Sequence, residues 1–188
     1  MKLDLDKLIY LDVEFISRKY EELTGSNPDE NITKQQGALA GIKTLFMNAG
    51  VHTQESRSYT VTSRKMLQEI WNKIDELYPS FREASFENYQ GTNIAWVEGE
   101  LSIAEWKKTN SNDPGYEYFE LSHNNERMAF LSHKEYYAAG FRELFSASEA
   151  LKGNVGIPVK CLARIMWYVK AAKNFTACPY IIMEKTSN

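Results

Sequence analysis

A chain of 188 residues that is 43% hydrophobic and 13% aromatic can bury a real core, as one domain or as two small halves, which argues against disorder for the bulk of it. Lys and Arg number 22 against 25 Asp and Glu, a formal net charge of -3, so there is no cationic excess to offset a phosphate backbone and duplex nucleic acid is disfavoured as the main partner. Cys161 and Cys178 are too few for a disulfide framework and are expected as reduced, structural thiols.

The opening MKLDLDKLIYLD sets acids among its apolar residues and lacks an apolar signal core, and no later segment approaches about 18 uncharged apolar residues. The expectation is a cytoplasmic protein without a membrane partner. Leu8, Ile9, Tyr10 and Leu11 read as a short strand, and Asp12 sits where a carboxylate can cap a following helix. In that helix Phe15, Ile16, Tyr20 and Leu23 recur at helical spacing, and Gly25 fits its C-terminal stop. SNPDEN, from Ser26 to Asn31, is a loop by composition.

From Lys34 to Gly50 the residues Leu39, Ile42, Leu45, Phe46 and Ala49 share one helical face, while each of Gly37, Gly41 and Gly50 weakens a helix by about 1 kcal/mol relative to Ala. Such a helix needs a partner. Gly37, Leu39, Gly41, Ile42, Leu45 and Phe46 are therefore candidates for a partner or homo-oligomer interface, with the conformation of residues 33 to 57 left open. HTQESR, ending at Arg57, reads as a polar connection, and Tyr59 and Val61 alternate with hydroxyl residues as a strand from Ser58 to Thr62 would. Ser63 then caps a helix carrying Met66, Leu67, Ile70, Trp71, Ile74, Leu77 and Tyr78 until Pro79. Residues 1–90 thus read as an α/β half with two strand-helix units.

Residues 91–188 read as mostly β. Ile94 to Trp106 alternates as a strand, with Val97, Leu101 and Ile103 opposite Trp96, Glu98 and Glu100, and with Gly99 as a bulge or close backbone approach. Tyr116–Leu121 and Arg127–Leu131 form a hairpin around HNNE with a four- to five-residue connection. Ser132 with Glu135, and Ser146 with Glu149, match the capping box, so one or two short helices are expected between His133 and Lys152. Val159 to Lys170 is the longest strand candidate: Val159, Cys161, Ala163, Ile165, Trp167 and Val169 face the core, and Lys160, Leu162, Arg164, Met166, Tyr168 and Lys170 face away. Tyr180 to Glu184 is the last strand. The fold class is α+β: N-terminal strand-helix units plus a C-terminal, mostly antiparallel curled sheet or partial β-barrel, in two halves or one compact domain.

YLDVEFISRKYEELTG, SRKMLQEIWNKI, WVEGELSI and IPVKCLARIMWYV, in this order, resemble an uncharacterised bacterial and phage-associated family, a domain of unknown function whose members open with a YLD strand and a Y..LTG helix. The resemblance covers most of the chain. It implies this organisation and a mobile-element setting, and carries no activity over to any residue.

Chemistry is sparsely signalled. His123, Glu126, His133 and Glu135 are the one local group worth testing as metal ligands, and none of their spacings is diagnostic; His123 and His133 with nearby acids define the alternative reading, a small hydrolase or nuclease. There is no GxSxG elbow, P-loop or GxGxxG, and Cys161 falls on a core face. Glu98 and Glu100 beside Trp96 could mimic a carboxylate pair, although acids on one strand face are ordinarily solvated. No catalytic residue, metal or cofactor is assigned. What remains is recognition: Lys160 and Arg164 with Tyr168 on the late strand, joined by Trp96, Arg57 and Arg127, combine cations and rings suited to a small anionic ligand or an acidic protein surface. The expected function is a non-enzymatic binding or regulatory protein, a homo-oligomer, that sequesters a nucleotide-derived signal or a partner protein; a third reading is a structural interaction domain.

Overall fold

The computed structural model describes residues 3–26, 51–81, 92–106, 116–123, 126–138, 140, 141, 143, 144, 147, 152, 154–169 and 174–185, with backbone only at 51–61, 106 and 123. It divides into two compact units, one formed by Met1–Leu5 with Asp12–Leu77 and the other by Asp6–Leu11 with Tyr78–Asn188. Gly37, Leu39, Gly41, Ile42, Leu45 and Phe46 lie outside the described residues, as does the Ser146/Glu149 pattern.

The first unit holds two helices. In α1 (Val13–Thr24) the Asp12 carboxylate accepts from the Phe15 amide at 2.8 Å, and Gly25, at φ 70°, closes the C-terminus by donating to the Glu21 carbonyl. Helix α2 runs over Val51–Leu77, so Ser58–Thr62 is helical and the second strand-helix unit read from the sequence is not formed. The reason is length: five alternating residues carry a weak strand preference, and continuing a long amphipathic helix through Val and Thr costs only tenths of a kcal/mol per residue. Ser63, expected as a cap, is instead buried within the helix. Phe15, Ile16 and Tyr20 of α1 and Met66, Leu67, Ile70, Trp71 and Ile74 of α2 form the buried stripes, and the helices pack together. The Tyr20 hydroxyl donates to Glu69 at 2.7 Å and Lys73 to the Leu23 carbonyl at 2.9 Å, an order in which the two helices advance side by side.

The second unit is a six-stranded sheet that curls until it closes, as the sequence indicates: β1 (Leu8–Leu11), β2 (Asn93–Trp106), β3 (Tyr116–His123), β4 (Glu126–Phe130), β5 (Ile157–Val169) and β6 (Asn174–Glu184). Five strands close in the order β2-β3-β4-β6-β5 and back to β2, all antiparallel except the parallel β4–β6 pair. Strand β5 occupies one edge of β6 along its length; the other edge is shared, Phe175–Ala177 with β4 and Ile181–Met183 with β1. Long β2 turns the corner of the barrel by pairing first with β5 and then with β3.

Alternation fills the interior: Ala95, Val97 and Leu101 of β2, Phe119 and Leu121 of β3, Met128 and Phe130 of β4, Val159, Cys161, Ala163 and Ile165 of β5, and Phe175, Ala177 and Ile182 of β6 form one buried cluster. Tyr137 seals it, packing at 4.7 Å from the Tyr10 ring and 4.6 Å from Phe119 while its hydroxyl meets the Ser132 hydroxyl at 3.0 Å. That bond replaces the expected Ser132 cap: a 3-10 turn forms at Lys134–Tyr136, and its N-cap is His133 with no side-chain cap bond. The β3–β4 hairpin is tighter than expected, since the strands extend to paired His123 and Glu126 and leave only Asn124 and Asn125 between them. Among the described residues no helix is long and apolar enough to cross a membrane.

Candidate functional site

The outer faces of the strands decide where a ligand can sit, and β5 sets them. Val159 to Ile165 alternate into the core, which leaves Lys160, Leu162 and Arg164 outside as expected. Between the pairs Ile165↔Ala177 and Tyr168↔Phe175, however, Met166 and Trp167 stand opposite Thr176 alone. This bulge inverts the alternation. Trp167, expected in the core, is 55% exposed on the outer face, and Tyr168, expected beside Lys160 and Arg164, turns its ring onto Phe175 at 5.0 Å.

The structure brings three of the sequence-derived candidates together and separates the rest. The Lys160 ammonium lies 4.4 Å above the Trp96 ring, and the Arg164 guanidinium lies 5.9 Å from the ring of Tyr180. Lys185 pairs with Glu98 at 2.7 Å, and Leu162, between the two cations, is fully buried together with nearly all of Trp96. The cations therefore cover rings, and the centre of this face is closed. Arg127 stands on β4 in a different environment, and the Arg57 side chain lies outside the described residues. Among the described residues, Lys160, Arg164 and Trp96 share one face, and Tyr168 and Arg127 do not join them there.

A second face is organised around Glu120. Phe119 and Leu121 point into the barrel, so Tyr116, Tyr118, Glu120 and Ser122 point out. The Glu120 carboxylate is almost wholly buried yet fully engaged: Arg127 Nε donates to Oε1 at 2.8 Å, its Nη2 lies 2.6 Å from the same oxygen, and Asn174 Nδ2 donates to Oε2 at 2.8 Å. The Tyr118 hydroxyl has its pKa raised first by burial and then by the Glu120 charge, so it stays protonated. Asn174 Oδ1 is buried without a hydrogen-bond partner, an acceptor left open at the centre of the network. On the same outer surface Tyr116 is 66% exposed, Leu131 is half exposed, and the Arg127 side chain shows about half its surface.

Sequence reasoning singled out only Arg127 here. The alternation of YEYFEL already put Tyr116, Tyr118 and Glu120 on one face, but nothing local said that Glu120 would be buried. Asn174 was missed because β6 starts earlier than its apolar core suggests, and Trp167 because a bulge has no sequence signal of its own.

For covalent chemistry Cys161 is poorly placed: it is completely buried, and desolvation pushes its thiol well above the ordinary range. His133 Nδ1 and Glu135 Oε1 lie 3.5 Å apart on the surface with the Tyr136 ring 5.3 Å from the imidazole, and no group of three or more His, Cys, Asp or Glu able to hold a metal occurs among the described residues. The buried thiol and the Tyr137 hydroxyl, also raised by burial, make a pH prediction. Both folded-state values lie above the unfolded ones, so this stability is intact below the unfolded thiol pKa of about 8.5 and is lost as pH rises beyond it. The thermal midpoint should fall above about pH 8.5, and C161A should lose the earlier part of that fall; an unchanged profile would contradict it.

No protein-family model matches the chain, and no curated protein matches it. The architecture is nonetheless definite: a closed five-stranded Greek-key barrel with one parallel pair, the plan of the OB-fold, extended here by β1 on the free part of the β6 edge. That plan defines a scaffold, and function has to be argued from its surface.

Proposed function

We propose that this chain is a non-enzymatic binding protein that sequesters a nucleotide-derived ligand on the outer face of β5, β6, β4 and β3. The observation that carries this reading is the buried Glu120–Arg127–Asn174 network beneath a half-exposed guanidinium, on strands that also expose the rings of Trp167 and Tyr116. A fixed guanidinium offers donors to a phosphate or a base edge, and exposed rings offer stacking. The Glu120 carboxylate is held by Arg127 on one oxygen and Asn174 on the other, so the guanidinium is positioned before any ligand arrives and little ordering entropy opposes binding. In the phage-associated setting implied by the YLDVEFISRKYEELTG resemblance, such a protein would act by removing a nucleotide immune signal from circulation.

A thermal-shift panel of linear and cyclic nucleotides tests the proposal. A ligand present at 100 times its Kd adds about 2.7 kcal/mol to the stability of the bound state, enough to raise the midpoint by several degrees. At least one nucleotide should do so in the native protein and fail to do so in R127A. If none moves the midpoint, the reading is wrong.

A further inference from the structure

The outer face of β5 and β6 carries a second group with a chemistry of its own. On β6, Ala177 points into the core, so Cys178 points out, where it pairs across the ladder with Arg164 of β5. Met166 follows two residues later on β5, in the bulge that re-aims the end of that strand. Its thioether reaches back across the ladder to the thiol, with Cys178 Sγ donating to Met166 Sδ at 3.9 Å. Both residues are only partly buried, which gives the pair a route to solvent that Cys161, sealed in the core, lacks.

A thiolate and a thioether in contact are a ligand set for a soft metal ion. The set is too small for Zn(II), which takes four ligands, and too soft for the oxygen-seeking Mg(II) and Ca(II). The geometry fits without rearrangement: with metal–sulfur bonds of about 2.3 Å to sulfurs 3.9 Å apart, the angle at the ion is about 115°. Charge then selects the valence. The thiolate cancels one positive charge, so a monovalent ion leaves a neutral centre beside the Arg164 guanidinium, whereas a divalent ion would leave an uncompensated charge facing it. The same guanidinium favours the thiolate that coordination requires. We propose that Cys178 and Met166 form a binding site for Cu(I), the thiol giving up its proton to solution as the copper–sulfur bond forms and the copper keeping its oxidation state.

Anaerobic titration of the full chain with Cu(I), in competition with a chromogenic Cu(I) chelator, tests the proposal. The native protein should take up about one ion per chain, release about one proton per ion, and leave Zn(II) unbound at equal concentration. M166L keeps the volume of the side chain and removes its sulfur; it should weaken the site roughly tenfold or more, and C178S should abolish it, while C161A binds as the native protein does. In the native protein the Met166 methyl resonance should shift as Cu(I) is added, a readout that needs no variant. Undiminished binding by M166L, or an unmoved Met166 methyl, overturns the proposal, because the thiol then acts alone. Retention of the ion by C178S overturns it by placing the copper elsewhere. Zn(II) bound as tightly as Cu(I), or no uptake of Cu(I) against the chelator, overturns it as well.

Discussion

Replacing Gly99 by alanine should lower the stability of the protein by about 3 kcal/mol, among the largest effects available from adding one methyl group. Gly99 lies where β2 leaves β5 and takes up β3, pairing with Val159 while the next residue, Glu100, already pairs with Ser122. A Cβ built there would sit 2.2 Å from the Ser122 carbonyl oxygen and 3.0 Å from its carbon. Those are backbone atoms in a paired strand, so relief requires β2 and β3 to part at the corner that closes the barrel. For a chain of this length the loss corresponds to a midpoint lower by roughly 6–12 °C. Gly156 supplies the control. Its added Cβ would meet only the Glu100 side chain, at 2.6 Å from Oε1, and a carboxylate on a flexible stem can swing aside. G156A should change the stability by less than about 1 kcal/mol. If both variants melt alike, the corner does not depend on close approach at Gly99.

The second large effect is expected at Glu120. E120A removes the acceptor of the Asn174 amide, and Asn174 is only 2% exposed. Leaving a buried donor unmet costs about 2–3 kcal/mol. Arg127 is half exposed and can be hydrated, so its own loss of partner adds little. R127A acts differently, stranding a buried carboxylate with one remaining donor. Because the two residues share one interaction, E120A/R127A should be less destabilised than the sum of the single variants by about 1 kcal/mol or more. Chemical denaturation of the four proteins measures this coupling; strict additivity would show that the network does not act as a unit.

How much of this was legible in the sequence follows from the range of the interactions. The Asp12 cap, the Gly25 stop and the existence of the strands of the second unit are set by local periodicity and local hydrogen bonds, although β6 begins at Asn174 and not at Tyr180. The curled sheet was likewise foreseeable from the run of alternating segments. The closing order was not, because the parallel β4–β6 pair joins segments far apart in the chain and strand patterns do not name their partners. The site was harder still. Lys160 and Arg164 looked available because alternation exposes them, but only the fold shows them lying over Trp96 and Tyr180. Trp167 and Tyr168 exchanged faces through one extra residue, and Glu120 became central only when Arg127 and Asn174 arrived from two other strands.

The central claim is that ligand binds over the Glu120–Arg127–Asn174 network and not over Lys160 and Trp96. The most direct measurement is an NMR titration of isotope-labelled protein with cyclic and linear dinucleotides, following the Trp167 and Trp96 indoles, the Arg127 and Arg164 guanidinium Nε–H groups and the Asn174 side-chain amide. The account predicts shifts at Trp167, Arg127 and Asn174 with Trp96 and Arg164 unmoved. Shifts confined to Trp96 and Arg164, or none at all, would contradict it.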